Sequence, residues 1–205
     1  MKREIAILIL IVVAILAVAF GANAQQENNL EPYSVKGDRL GETAAEWLAS
    51  DPVHKAWTCG DVLHLPEGKT TECTTLGWAI DKGTYAEALL SSGSVFFVAK
   101  DGKLILYKVE MNLWNDMYVP RIMRALRDKF GMPTAHEVRS LQNDGGSTFD
   151  RSTWRWTNGV SSVELVYALG VPNDIPALTF TLDGPAEEVE KREDKKKDDA
   201  ARNDM

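Results

Sequence analysis

Two short turns constrain this chain more than any other feature. Asp101-Gly102 and Asn158-Gly159 each stand between runs that alternate in polarity. An Asx-Gly pair supplies the positive φ angles of a two-residue hairpin turn, so each predicts two antiparallel strands. The first hairpin is read as residues 95–100 returning through 103–111. Counting outward puts Phe96, Val98, Ile105, Tyr107 and Val109 on one face, and Phe97, Ala99, Leu104 and Leu106 on the other. Both faces are apolar, so this hairpin is expected to be central and covered on both sides. The second runs 153–157 and returns through 160–167. Trp154, Trp156, Val163, Leu165 and Tyr167 share one face; Thr153, Arg155, Ser162 and Glu164 share the other, with Arg155 opposite Ser162. That alternation predicts one buried side and one wet side.

Between the hairpins, Val119, Ile122, Met123, Leu126 and Phe130 form a single stripe at helical spacing. Pro120 fits the first turn of such a helix, and Gly131 followed by Pro133 ends it. Arg121, Arg124, Arg127 and Lys129 take the opposite side, read as a solvated back. Thr43-Ala44-Ala45-Glu46 is a capping box, so a short helix is expected through Ser50, stopped by Asp51-Pro52. Thr84-Tyr85-Ala86-Glu87 repeats the capping pattern and predicts a helical turn ended by Gly93. Residues 58–64, 70–80 and 178–182 read as further strands. The fold class is therefore α+β: antiparallel sheet with packed helices, arranged as two tandem helix-plus-hairpin modules over 37–112 and 113–183.

The ends have a different character. Lys2 and Arg3 precede an apolar run over 5–20, and Ala22-Asn23-Ala24 follows with the small-x-small pattern of a signal-peptidase site. Residues 1–24 are expected to be an export signal cut before Gln25. The run of about 16 residues is shorter than the roughly 20 a membrane span needs, with a retained anchor as the alternative. No membrane span is expected after cleavage. Residues 25–36 are polar and expected to be flexible. From Gly184 to Met205 there are eight acids and six bases with almost nothing apolar, a composition that predicts a disordered charged tail, or at most a transient helix.

Cys59 and Cys73 are the only cysteines. In an oxidising compartment they pair, closing a loop worth roughly 3 kcal/mol in the chain-entropy account. With His64 between them a metal site is the alternative, although 59, 64 and 73 match no zinc spacing. No cofactor is expected. The formal charge of −7 argues against nucleic acid as a partner.

Chemistry is sparse. His54, His64 and His136 have no partner at diagnostic spacing, Ser91-Ser92-Gly93-Ser94 lacks a nucleophile elbow, and Gly145-Gly146 lacks the lysine of a phosphate loop. Asp144 and Asp150 flank that loop without the spacing of a calcium hand. Among the six tryptophans, Trp57, Trp78 and Trp114 fall near element ends and form the candidate binding surface, while Trp47, Trp154 and Trp156 are read as core.

Residues 126–134 (LRDKFGMPT), with TWRW about twenty positions on, are similar to the helix-turn-strand pattern of the SmpA/OmlA (BamE) small outer-membrane lipoproteins. Leu40-Gly41-Glu42-Thr43-Ala44-Ala45-Glu46 resembles the helix start in that family. Lys129-Phe130-Gly131-Met132-Pro133, Trp156, Asn158-Gly159, Val163 and Leu165 also resemble a signature of small exported bacterial proteins. The resemblance implies a small α+β envelope domain used for protein–protein contact. The lipoprotein members carry a cysteine at the cut, and this chain has none there. The expectation is a periplasmic or secreted, non-catalytic domain with a protein partner. A glycan or small-ligand binder using the tryptophans, and a hydrolase using one of the histidines, are the alternatives. Intact-mass measurement of the exported protein should give a chain beginning at Gln25; a product retaining residues 1–24 would mean a tether.

Overall fold

The computed structural model describes residues 30–60, 65–76, 84–86, 88–142, 145–171 and 174–203. The expected export signal lies outside the described residues. Eleven strands and three α-helices are seen among them. A small hairpin of β1 (Ser34–Val35) and β2 (Asp38–Arg39) leads into α1 (Ala44–Ser50) and a 3-10 turn over Pro52–Ala56. Then come β3 (Thr58–Cys59), β4 (Thr70–Leu76), β5 (Thr84–Tyr85), β6 (Ala88–Lys100) and β7 (Lys103–Leu113). A second 3-10 turn (Asp116–Tyr118) and α2 (Val119–Phe130) precede β8 (Ala135–Gln142), β9 (Thr148–Thr157), β10 (Ser161–Tyr167), β11 (Ala177–Leu182) and α3 (Asp183–Asn203). This is the α+β class, built on one nine-stranded antiparallel sheet.

The sheet order is β3-β4-β6-β7-β11-β10-β9-β8, with β5 pairing β6 off that path. Each half of the chain thus contributes a helix followed by an antiparallel meander, and the two meanders meet where β7 pairs β11. The boundary expected at 112/113 falls at the end of β7, and the sheet runs across it. Among the described residues no helix is long and apolar enough to cross a membrane.

The β6–β7 hairpin is central and covered twice. Asp101 and Gly102 have φ of 52° and 71°, so Lys100 pairs directly with Lys103. One face joins the main core, where Val95, Phe97, Leu106, Val109 and Met111 meet Trp47 of α1 and Ile122 and Leu126 of α2. Val98 and Tyr107 form a second core on the far face, with Val189 of α3. Simple alternation put Val109 with Val98 and Tyr107. A register shift between Phe96 and Phe97 sends it to the other side, opposite Val95.

In the second hairpin the apolar face is as alternation requires, but Ser162 on the face expected to be wet is buried, donating to Asp183 at 2.9 Å, and the register differs. Thr157 pairs Ser162, and Arg155 faces Glu164 at 3.4 Å rather than Ser162. Asn158 accounts for this: its side-chain carbonyl accepts the Val160 and Ser161 amides, closing a four-residue loop instead of two. The shift is an even number of residues, so no side chain changes face.

The helices expected after Thr43 and around Pro120 both form. Thr43 and Glu46 cap each other reciprocally at the start of α1. Pro120 lies in the first turn of α2, and the Gly131 amide closes its end on the Arg127 carbonyl at 2.9 Å.

Three expectations are corrected. Thr84–Tyr85 is strand, not a helix start: the chain reverses at Ala86 (φ 47°), and β6 runs straight through Gly93 because β4 and β7 flank it and take up its backbone groups. Glu87 lies outside the described residues. In the segment expected to be flexible through residue 36, Lys36 and Gly37 (φ 55° and 100°) fold Val35 into the core and Tyr33 packs on Phe130. The charged C-terminal segment is a helix rather than disordered, because the sheet supplies a surface its composition does not reveal. Ala186 and Val189 lie on Val98 and Tyr107, and Lys100 pairs Glu188 at 3.1 Å.

Trp156 is 1 % exposed, with its indole N–H donated to the Gly131 carbonyl, whereas Arg155 is exposed. Trp156→Ala should cost about 3–5 kcal/mol of unfolding free energy in denaturant titration, and Arg155→Ala no more than about 0.5 kcal/mol.

Candidate functional site

The most enclosed ionisable cluster among the described residues is built around His54. Asp51 caps its 3-10 turn by accepting the Val53 amide at 2.9 Å, and Pro52 opens it. The turn carries the imidazole under α1, stacked on the Trp47 indole with centroids 4.0 Å apart and planes 12° off parallel. Nδ1 lies 2.6 Å from the Trp47 carbonyl, and Nε2 lies 3.2 Å from Asp38 Oδ1 on β2. His54 and Asp38 are both buried. A neutral imidazole has one N–H, and these two acceptors require two, so the geometry selects the imidazolium. Burial works to lower the pKa of His54. The hydrogen bonds to Asp38 and the Trp47 carbonyl, with the charges of Asp38 and Asp51, outweigh it and hold the group above its ordinary value. Burial likewise raises the neighbouring Glu42 carboxyl.

Ser50, His54 and Asp38 have the composition of a hydrolytic triad, but not its wiring. A general base must turn a free lone pair toward the hydroxyl. Here Nδ1 donates to the Trp47 carbonyl, and Ser50 Oγ donates to that same oxygen at 2.8 Å while lying 3.4 Å from the ring. The cluster instead ties β2, α1 and the 3-10 turn together. His136 is exposed on β8 and stacks on Trp154 at 3.6 Å. His64 and Asp144 lie outside the described residues, and Asp150 accepts a hydrogen bond from Ser140.

Cys59 and Cys73 are directly opposite in the β3–β4 pair and form a disulfide, which removes both thiolates from the alternative metal site. Among the described residues no metal-binding group of His, Cys, Asp and Glu is found.

The three tryptophans singled out as a surface do not act alike. Trp57 is half-buried, edge-on to Trp47 at 5.4 Å, with its indole N–H enclosed. Trp78 lies outside the described residues. Trp114 is 66 % exposed, and the backbone gathers other apolar side chains beside it. Its amide bonds to the Leu89 carbonyl at 2.9 Å, Asp116 accepts the Gly170 amide at 2.9 Å, and Leu113 donates to Pro176 at 2.8 Å. These links draw Leu89, Met117, Leu169 and Ile175 to one end of the sheet, all exposed, Met117 at 69 %. Sequence reading found Trp114 but not these companions, which come from three separate segments with no periodicity to join them.

Compared with known protein families, curated proteins and solved structures, the chain matches none.

The His54 contribution to stability is complete below the unfolded value of about 6.5 and is lost as pH rises through the higher folded value. Unfolding free energy measured across that window should decline with pH, and His54→Gln should flatten the decline.

Proposed function

We propose that this is an exported, non-catalytic α+β domain of the periplasm or extracellular space, binding another protein through the apolar end around Trp114. The observation that carries the reading is that hydrogen bonds bring the segments bearing Trp114, Met117, Leu169, Ile175 and Leu89, all exposed, to one end of the sheet. Leaving that much large apolar surface in water is unfavourable unless a partner covers it, and Trp and Met are favoured where partners dock. The complementary surface is an apolar segment of another protein. Among the described residues Trp114 is the one exposed indole, which favours an apolar protein contact over a glycan platform of several rings. The Cys59–Cys73 bond supports an oxidising compartment. The wiring of Ser50 and His54, with no lone pair presented to the hydroxyl, supports a non-catalytic role.

The test is pull-down from envelope extract with the disulfide-bonded domain, followed by titration of the purified partner. Trp114→Asp and Met117→Asp should each weaken binding by tenfold or more, the loss expected on removing a central anchor (about 1.4 kcal/mol or above). Far-ultraviolet circular dichroism should not change. Undiminished binding by both variants would place the contact elsewhere.

A further inference from the structure

At one edge of the sheet, β8 ends the strand order, and all eight of its residues are exposed. It pairs with β9 on one side only, so among the described residues its outer backbone groups have no strand partner. Such an edge is a template for another strand. Its side chains restrict which strand fits. Glu137 and Arg139 stand on the same face, two positions apart on either side of Val138, and they pair with each other at 2.6 and 3.2 Å. Within the molecule, the position opposite Arg139 on β9 is Arg151, another cation, so a carboxylate is lacking on that flank.

We propose that β8 pairs antiparallel with β8 of a second copy of this chain about a twofold axis at Val138, continuing one sheet through both copies. In that register Glu137 of each copy faces Arg139 of the other, Val138 faces Val138, and Ala135 faces Leu141. Both half-exposed aliphatic positions, Val138 (51 %) and Leu141 (36 %), gain cover. The register is selected by charge. Moving the axis one residue either way sets Glu137 against Glu137 or Arg139 against Arg139, and like charges directly opposite are unfavourable. A neutral foreign strand would leave both charges without a cross-strand partner, so the edge resists indiscriminate pairing while matching its own copy. The contact is remote in sheet order from the Trp114 end and does not rest on the partner proposed there.

Sedimentation of the protein at high micromolar concentration should show a dimer. Glu137→Arg and Arg139→Glu, each alone, should weaken self-association about tenfold, because two attractive cross-strand pairs become repulsive. Mixing the two variants should restore a heterodimer, and the double swap E137R/R139E should restore the homodimer. Val138→Cys should give a disulfide-linked dimer under mild oxidation. Ser140→Cys should not, since its two copies would lie roughly 13 Å apart along the strands. Thermal melts of all variants, at dilutions where the parent is monomeric, should match the parent. A monomer throughout, dimers indifferent to the charge swaps, or cross-linking equal at positions 138 and 140 would each overturn the pairing, as would capture of Val138→Cys by a different protein.

Discussion

The β6–β7 hairpin must be dry on both faces, and the rest of the fold follows from meeting that demand. Its main-chain groups are taken up by β4 on one side and β11 on the other. The large residues Phe97, Leu106 and Met111 call for the two short helices on one face, while Val98 and Tyr107 call for the C-terminal helix on the other. A strand pair buried in this way cannot shift register without exposing one face, so it anchors the order of the sheet around it. The Phe96–Phe97 irregularity shows how the two faces are served together: it re-aims Val109 into the larger core, where α2 needs filling, and leaves the smaller core to Tyr107 and Val189.

Around this hairpin two devices tie the N-terminal segments together. His54 is held by acceptors on both nitrogens, so its charge serves to clamp the N-terminal hairpin to α1. The Cys59–Cys73 bond secures the short strand that follows, where two residues of pairing would be weak alone. Both devices act on the segment between α1 and β4, whose described strand β3 is only two residues long.

The two surfaces proposed to meet partners sit apart in the sheet order. One is an end where loops from β6, β7 and the approach to β11 bring apolar side chains together; the other is the β8 edge. Of the candidate surface residues read from the sequence, Trp114 is exposed and Trp57 packs beside Trp47. Position near an element end was the signal for both, and it does not distinguish a residue facing solvent from one facing a neighbouring helix.

What the sequence alone determined was local: the Asp101-Gly102 turn, the apolar face of the second hairpin, the Thr43 capping box, the apolar stripe and glycine stop of α2, and the pairing of the two cysteines. Each rests on residues close together in the sequence, or, for the cysteines, on there being no third sulfur to pair with. Tertiary structure alone decided the rest. Strand β8 has no buried face and therefore writes no alternation into Ala135–Gln142, so it exists because β9 offers it an edge. Residues 88–94 become strand because β4 and β7 claim them, and the charged C-terminal segment becomes helix because the far face of β6–β7 needs Val189. These outcomes depend on contacts between residues far apart in the chain, and such contacts leave no periodic trace in the segment that makes them.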